Sequence, residues 1–502
     1  MKHISPKKNN ILVLCLIVIL ALGIRSGIIA VLPNISLGGA QVYHAELARN
    51  LVAGRGFVID EEYFNSILEI TEAQGYIPDI ESIKPPEHEV FTNAYGMPPG
   101  TSLLLAATYW AFSEHQFIYL RILQAIIDSF GCVFLFLIGK ELFSTRIGLI
   151  SGFLYAIWIP IAYISTWPLQ DALMPFITLV CFYFFVLGVR KRKVRFYIIS
   201  GLIAGVGCYF QPSLLLLPII LGIGLFIYEW RKISVRENIV IFTKTTLVMM
   251  VMLLIVITPW TIYNYNVSNK KYIGIREVPW QGIWEGFGEV DNPFGAVLDD
   301  AVTHQQIKEE LGYDPGSFTP EAQAIFKEKV LNAIKGQPGW WVSTVLRRIP
   351  RSFIYFDQIQ LRRLPTPDNT PWYAEKRWIS FVLGTEFVSA FKNGMFSELA
   401  RHDPFLVLYL PASWFFAVIP VLLSIVGIWV MRRKWRELVL VLTLPVYFSL
   451  FHIFLFVSFH KSLLPGSLAY IILCAIALDY FYCRIKDKGI SDIEYSDTRA
   501  PR

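Results

Sequence analysis

Long apolar runs alternate with short basic segments along this sequence. A helix needs roughly 20 apolar residues to cross a bilayer, and the chain carries about ten runs near that length: 11–32, 117–138, 146–166, 169–188, 196–212, 213–229, 239–259, 405–431, 437–459 and 463–483. Only 17% of the 502 residues are charged, against about a quarter in soluble domains. The pattern predicts an all-α polytopic membrane protein with about ten transmembrane helices.

Three connectors between these runs are short and strongly basic: VRKRKVR (189–195), EWRKISVRE (229–237) and MRRKWRE (431–437). Basic loops stay on the cytoplasmic side, and so do Lys7 and Lys8 before the first run. The charge pattern therefore predicts cytoplasmic termini and a first outer loop at 33–116, whose acids outnumber its bases.

One apolar segment, MPPGTSLLLAATYWAFS (97–113), tests this topology. If it crossed the membrane, the three basic connectors would lie outside. Its apolar part spans only about 14 residues, which is short for a crossing. We interpret it as a re-entrant or interfacial helix on the outer side.

The predicted domains follow from these spans. An N-terminal transmembrane module (1–259) contains the first outer loop with its amphipathic helix. A larger outer-side region (260–404) with interfacial helices precedes the C-terminal spans (405–483) and a cytoplasmic tail (484–502).

Three arginines, Arg347, Arg348 and Arg351, lie in an aromatic segment of the outer-side region. Three charges make a membrane crossing there costly. We interpret the segment as an interfacial helix with its basic side near lipid headgroups. A solvated charged face is the alternative.

Ionisable residues inside apolar spans are costly and mark structural pairs or sites. Arg121 and Asp128 are seven residues apart and share a helical face, so they form a structural pair or line a cavity. The mid-depth position of Asp128 favours a structural role, whereas Arg121 lies near the outer end, within reach of a phosphate.

Three further polar residues lie at outer helix ends. Asp171, in STWPLQDAL, is either a helix cap or a base facing the outer loops. His460 and Lys461 provide positive charge for a phosphate, or Lys461 simply extends its ammonium to the interface.

Several functional classes are excluded by the same sequence. Basic residues concentrated between spans indicate topology rather than nucleic-acid binding. The cysteines show no CxxC spacing, and no phosphate-binding loop, nucleophile elbow or HExxH motif occurs. We therefore expect no metal and no cofactor.

The order of the motifs indicates a family. GGAQVYHAELARNLVAGRGF (38–57) is followed by PPGTSLLL, YLRILQAIIDS, IGKELFSTRIGLISGFLYAIWIP, STWPLQDAL and TPWTIYNY. Over most of residues 1–360 the sequence resembles the GT-C glycosyltransferases of the protein O-mannosyltransferase and aminoarabinose transferase type. The resemblance implies sugar transfer from a polyprenyl-phosphate donor to a glycan, lipid or protein acceptor, at the outer face of a bacterial or archaeal plasma membrane.

The resemblance also implies site residues. The helix tyrosine of the family matches Tyr43, but its aspartate position falls on Gly39. Asp171 matches a family acid and Arg121 a family arginine, whereas Gln211 and Tyr263 stand where the family often has arginine. Positive groups would hold the carrier phosphate, and the candidates are Arg121, Lys461, His460, Arg347, Arg348 and Arg351.

The missing aspartate leaves three hypotheses. Glu46, one turn beyond Tyr43, acts as the base, or Asp171 carries that role alone. The protein binds or flips a lipid-linked saccharide without catalysis. Or the match to the family motif is displaced by one or two residues.

Overall fold

A computed structural model describes residues 6–32, 39–60, 91–112, 116–270, 272–276, 280–313, 320–354, 404–454 and 460–485, together with the single positions 379, 382, 383, 388 and 392. The elements of the first half are α1 (Pro6–Val31), α2 (Gly39–Val52), β1 (Val58–Asp60), β2 (Phe91–Asn93), α3 (Gly100–Phe112), α4 (Phe117–Ser129), α5 (Gly131–Leu142), α6 (Thr145–Ala156), α7 (Ile159–Ser165), α8 (Met174–Lys191), α9 (Val194–Cys208), α10 (Leu217–Glu229) and α11 (Val235–Val267).

The second half contains α12 (Trp280–Phe287), α13 (Asp300–Leu311), α14 (Pro320–Gly336), α15 (Pro338–Ser352), α16 (Pro404–Val430), α17 (Trp435–Phe454) and α18 (Ser467–Ile485). Short 3-10 helices occur at Pro212–Leu214, Arg432–Lys434 and His460–Gly466.

The helices confirm an all-α polytopic membrane architecture. Within the described ranges, 7 helices are long and apolar enough to cross a membrane, or 8 if the bent pair α6 and α7 forms one span. Two shorter apolar helices, Val194–Cys208 and Trp414–Val430, account for the remaining predicted spans. By length and composition, the predicted apolar runs therefore correspond to helices.

The first-loop region contains a feature that the sequence did not predict. Strands β1 and β2 pair antiparallel, with Val58 opposite Asn93. The amphipathic helix α2 packs on α3 through Val42, Leu105 and Tyr109. Helix α3 has 13 residues, which is shorter than a crossing requires, as its apolar length predicts.

The other long helices differ from prediction mainly at their ends. Helix α11 continues to Val267 although Pro259 lies inside it, so the predicted boundary at 259 falls within the helix. A proline removes one backbone hydrogen bond, and a long apolar helix tolerates that loss when neighbouring elements pack around it.

The three basic connectors meet at one end of the helix bundle, which we call the basic end. Arg190 Nη2 lies 3.6 Å from Glu437 Oε1, and Arg192 Nη2 lies 3.5 Å from Glu229 Oε2. Arg436 Nη2 donates to the carbonyl of Trp230 at 3.2 Å. The connectors therefore share one side, as the charge pattern predicts, while the cytoplasmic orientation of that side stays a prediction.

A buried ion pair joins the first span to the rest of the bundle. Arg25 Nη2 lies 2.6 Å from Asp128 Oδ2, and both side chains are fully buried. Tyr155 Oη donates to Asp128 Oδ1 at 2.6 Å. Asp128 thus pairs with Arg25 of α1, and not with Arg121 of its own helix.

Candidate functional site

Asp171 lies at the end of the bundle opposite the basic end, in the turn between α7 and α8, and we call this the site end. Its carboxylate is buried, with 1% exposed. Gln211 Nε2 donates to Asp171 Oδ1 at 2.9 Å. The N-cap of α8 is Leu173, and that helix start has no side-chain cap, so the capping alternative for Asp171 is not observed.

Arg276 extends this contact from the loop after α11. Its Nη1 donates to Gln211 Oε1 at 3.4 Å, so the Gln211 amide lies between a carboxylate and a guanidinium. Burial lowers the pKa of Arg276, and the charge of Asp171 opposes that shift. The guanidinium remains cationic, because arginine does not lose its proton in proteins. A guanidinium thus reaches the position of Gln211, where the resembling family often has arginine.

His44 connects the first-loop helix to the same group. Its Nδ1 lies 2.8 Å from Ser102 Oγ of α3, and both residues are buried. Burial lowers the pKa of His44 to about 4, with a further contribution from the Arg276 charge. The imidazole is therefore neutral at neutral pH, and its Nε2 has no hydrogen-bond partner in the described part of the chain. We call Asp171, Gln211, Arg276 and His44 the polar site group.

The approach of α3 to α9 positions Ser102 for this contact. The Gly100 amide donates to the carbonyl of Tyr209 at 2.7 Å. A Cβ at position 100 would lie 2.7 Å from that same oxygen, which is closer than side-chain carbons approach. Glycine is therefore required where α3 begins.

Glu46 lies two residues beyond His44 and hence on another face of α2. Its Oε1 accepts from Asn50 Nδ2 at 2.8 Å and from Arg49 Nη2 at 3.1 Å. Asn50 also donates to the carbonyl of Val58 at 2.9 Å. These contacts tie α2 to β1, and among the described contacts none joins Glu46 to the polar site group. Its catalytic role stays a prediction.

Tyr43 lies beside the C-terminal part of α11. Tyr263 Oη donates to the carbonyl of Phe57 at 3.0 Å, and Trp260 stacks on Tyr263 with ring centroids 4.8 Å apart. Burial raises the pKa of Tyr43, and the nearby Tyr263 adds to the shift. Tyr263, at a position where the family often has arginine, thus binds the backbone of the segment that follows the first-loop helix.

Arg121 anchors the segment that carries Asp171. Its Nε donates to the carbonyl of Thr166 at 2.8 Å, and its Nη2 donates to that of Leu32 at 2.7 Å. The residue is buried. These bonds position the end of α1 and the turn before α8, while phosphate binding by Arg121 stays a prediction.

The arginines of α15 differ from the expected orientation. Arg348 and Arg351 are fully buried, and Arg347 is exposed. Arg348 Nε lies 3.1 Å from Glu289 Oε2. The exposed side of the helix is largely apolar and includes Val342, Leu346 and Ile349. The expectation that the basic side faces headgroups is wrong for Arg348 and Arg351, because Glu289 and carbonyl acceptors draw Arg348 inward.

His452 of α17 is a further buried polar residue close to the site. It interacts electrostatically with both Asp171 and Glu289, and its Nδ1 contacts the carbonyl of Phe448 at 2.8 Å. His460 and Lys461 begin the short helix His460–Gly466, but their side chains lie outside the described positions. Their roles therefore stay predictions.

His44, Arg276 and His452 were not among the residues predicted from the sequence. His44 adjoins Tyr43 in the first-loop motif, so that motif could have indicated it. No motif marks Arg276 or His452, and only the fold brings them near Asp171. No three potential metal ligands among His, Cys, Asp and Glu cluster in the described ranges.

Comparisons with known proteins agree with this architecture. Residues 97–263 match the family model of dolichyl-phosphate-mannose-protein mannosyltransferase. The crystal structure of the Archaeoglobus fulgidus oligosaccharyltransferase in the apo form superimposes with a TM-score of 0.50 at 12% identity, covering 95% of this chain and 52% of that one. The oligosaccharyltransferase AglB of the same organism, with an inhibitory peptide and a dolichol-phosphate, gives a TM-score of 0.49 at 13% identity, covering 96% and 52%.

No curated protein sequence matches the chain, and the chain spans about half the length of the structures it matches. The chain nevertheless has the GT-C fold, and the resemblance to GT-C glycosyltransferases is confirmed. The sequence match to the family model covers 97–263, the segment that contains Arg121, Asp171, Gln211 and Tyr263.

Proposed function

We propose that the protein is a membrane glycosyltransferase that transfers a sugar from a polyprenyl-phosphate donor to an acceptor. The observation that carries the proposal is the polar site group, in which a buried carboxylate, an amide and a guanidinium are linked at one end of the bundle. The matching family model supports the donor class, because its name specifies a dolichyl-phosphate sugar.

The chemistry assigns a role to each charged group. The acceptor oxygen attacks the anomeric carbon, the bond from that carbon to the carrier phosphate breaks, and the acceptor proton passes to a base. Asp171 is the proposed base. Arg276 pairs with the phosphate as negative charge develops on the leaving group.

Asp171 suits the role of base better than Glu46 does. The carboxylate of Asp171 lies in the group that includes Arg276, whereas Glu46 is bound by Arg49 and Asn50 of its own helix. The site end is opposite the basic end, and the positive-inside pattern therefore supports a reaction at the outer face. The acceptor is a glycan, a lipid or a protein.

A second function, binding or flipping of a lipid-linked saccharide without catalysis, is favoured by one observation. Gly39 stands where the family usually has its aspartate. In that case the polar site group would bind the carrier phosphate without promoting transfer.

Proteoliposomes that contain the full chain and a panel of polyprenyl-phosphate sugars distinguish the two functions. An enzyme releases free polyprenyl phosphate in an acceptor-dependent manner, and an Asp171→Asn variant does so far more slowly. A flipping protein moves a fluorescent lipid-linked sugar between leaflets without consuming it. Movement without consumption would overturn the proposed transferase.

A further inference from the structure

An apolar groove lies between α10 and α11, in the half of the bundle nearest the basic end. Its volume is about 260 Å³, and it is lined by Ile223, Phe226, Ile239, Phe242 and Thr243. Ile223 and Ile239 are 41% and 49% exposed, so the groove opens on the surface of the helix bundle and not into its core. It lies at the opposite end from the polar site group.

Close packing fixes the walls of the groove. A Cβ at Gly222 would lie 2.0 Å from Thr246 Oγ1, so α10 and α11 approach closely beside it. The Phe226 ring packs edge-on against Phe242 with centroids 6.1 Å apart. Asn238 Nδ2 donates to the carbonyl of Phe226 at 2.8 Å. The groove is therefore part of the helix packing rather than a gap left by one side chain.

Two exposed arginines lie in the segment that joins the two helices of the groove, Arg231 in the connector and Arg236 in the first turn of α11. Arg236 precedes Ile239 and Thr243 by about one and two turns, so it lies on the same face of α11. Arg231 follows Trp230, whose ring packs on Phe226 with centroids 5.6 Å apart. Within the described residues, neither arginine forms an ion pair.

The acids of this connector are already engaged. Glu229 lies 3.5 Å from Arg192 and 4.0 Å from Lys232. Glu237 accepts hydrogen bonds from Ser234 in a capping box at the start of α11. Glu237 keeps its charge, but residues 229–237 contain three basic side chains and two acidic ones, so the net charge beside the groove is positive.

We propose that this groove and its two arginines bind one anionic phospholipid. An acyl chain occupies the groove, and Arg231 and Arg236 bind the headgroup phosphate. The apolar lining alone does not select a lipid, because bulk lipid tails are equally apolar. Selectivity comes from the arginines, since each cation near the membrane surface favours anionic lipid. Trp230 is 41% exposed, and tryptophan is one of the residue types enriched at membrane–water interfaces.

Native mass spectrometry of the purified full chain, titrated with dioleoylphosphatidylglycerol or dioleoylphosphatidylcholine, tests the proposal. We expect the anionic lipid to bind more tightly. Arg231→Gln and Arg236→Gln should each weaken its binding about fivefold. Arg433→Gln, which removes an exposed arginine from another basic connector, is the matched control and should leave that binding unchanged.

Filling the groove provides a second, independent arm. Thr243→Trp and Ile223→Trp should each reduce phosphatidylglycerol binding, and thermal unfolding will show which variants stay folded. Equal affinity for the two lipids, an equal effect of Arg433→Gln, or unchanged binding in a folded groove-filled variant would overturn the proposal. So would displacement of phosphatidylglycerol by equimolar undecaprenyl phosphate, which would make the groove a carrier site.

Discussion

His44 lies in the first-loop helix and interacts electrostatically with Arg276. It is neutral mainly because it is buried. The residue is 1% exposed, and its pKa is lowered to about 4. An exposed histidine in the unfolded chain takes up a proton near pH 6.5. The folded and unfolded proteins therefore bind different numbers of protons between these values.

This difference predicts a pH dependence of stability. As pH falls from about 6.5 to about 4, the unfolded chain gains a proton that folded His44 does not, so the free energy of unfolding should decrease by about 3 kcal/mol. His44→Gln should remove this part of the dependence and keep a hydrogen bond to Ser102. Thermal unfolding in detergent across this pH range measures the pH dependence of stability. Identical profiles for the wild type and His44→Gln would contradict the prediction.

Arg276 is a second residue whose role depends on the fold. We expect Arg276→Gln to raise the KM for a polyprenyl-phosphate donor roughly 10- to 100-fold, because a charge-assisted hydrogen bond to phosphate is lost. Arg276→Lys should recover part of the affinity, since the charge remains. Donor titrations measure KM. A larger effect from Arg347→Gln than from Arg276→Gln would instead favour the sequence-based candidate on α15.

The residues of the site show what one sequence can and cannot indicate. Asp171 was found because a charged residue at the end of an apolar run is visible locally. The contact between Arg276 and Gln211 joins positions 65 residues apart, and the Arg25–Asp128 pair joins positions 103 apart. Such pairs form only where two helices pack together, and the local residue pattern of one sequence does not indicate which helices do so.

At the scale of elements, the junction of α3 with α9 depends on a single glycine. Gly100→Ala should destabilise the protein by about 1–3 kcal/mol, because the added carbon would contact backbone that has no room to move. Thermal unfolding measures the change. Gly23→Ala is the matched control, since no atom lies within 4 Å of its added carbon. Equal stability of the two variants would show that α3 does not approach α9 this closely.

Helices and strands differed in how well they could be predicted. An apolar run determines a helix locally, so the spans and the short α3 followed from length alone. The β1–β2 pair brings together residues 58 and 93, which are 35 positions apart in the sequence, and neither segment has the length or alternation of a typical strand. The orientation of α15 was mistaken because Glu289, the buried partner of Arg348, lies in the turn after α12, 59 residues away in the sequence.

At the scale of the whole molecule, the Arg25–Asp128 pair joins α1, α4 and α6. Asp128→Asn should destabilise the protein by about 3–5 kcal/mol, because Arg25 would be left buried without its counter-charge. The double variant Arg25→Met with Asp128→Asn should recover most of that loss, since asparagine can still accept from Tyr155. Thermal unfolding of both variants decides the point, and equal destabilisation would contradict it.

The two proposals assign different tasks to the two ends of the molecule. We propose that the polar site group carries out transfer and that the groove near the basic end binds anionic lipid. Helices α8, α10 and α11 run between the two ends, so each contributes to both. A substitution at the basic end should affect lipid binding more strongly than it affects turnover.

We propose that Asp171 acts as the base of a glycosyl transfer, and the turnover number of Asp171→Asn tests this role. Acceptor-dependent release of polyprenyl phosphate by the purified chain should fall by roughly 100- to 10,000-fold in this variant, the range for loss of a general base. Glu46 is a buried carboxylate bound by residues of its own helix. Glu46→Gln should therefore retain most of the wild-type kcat. Full turnover by Asp171→Asn, or a greater loss in Glu46→Gln, would contradict the role of Asp171 as the base.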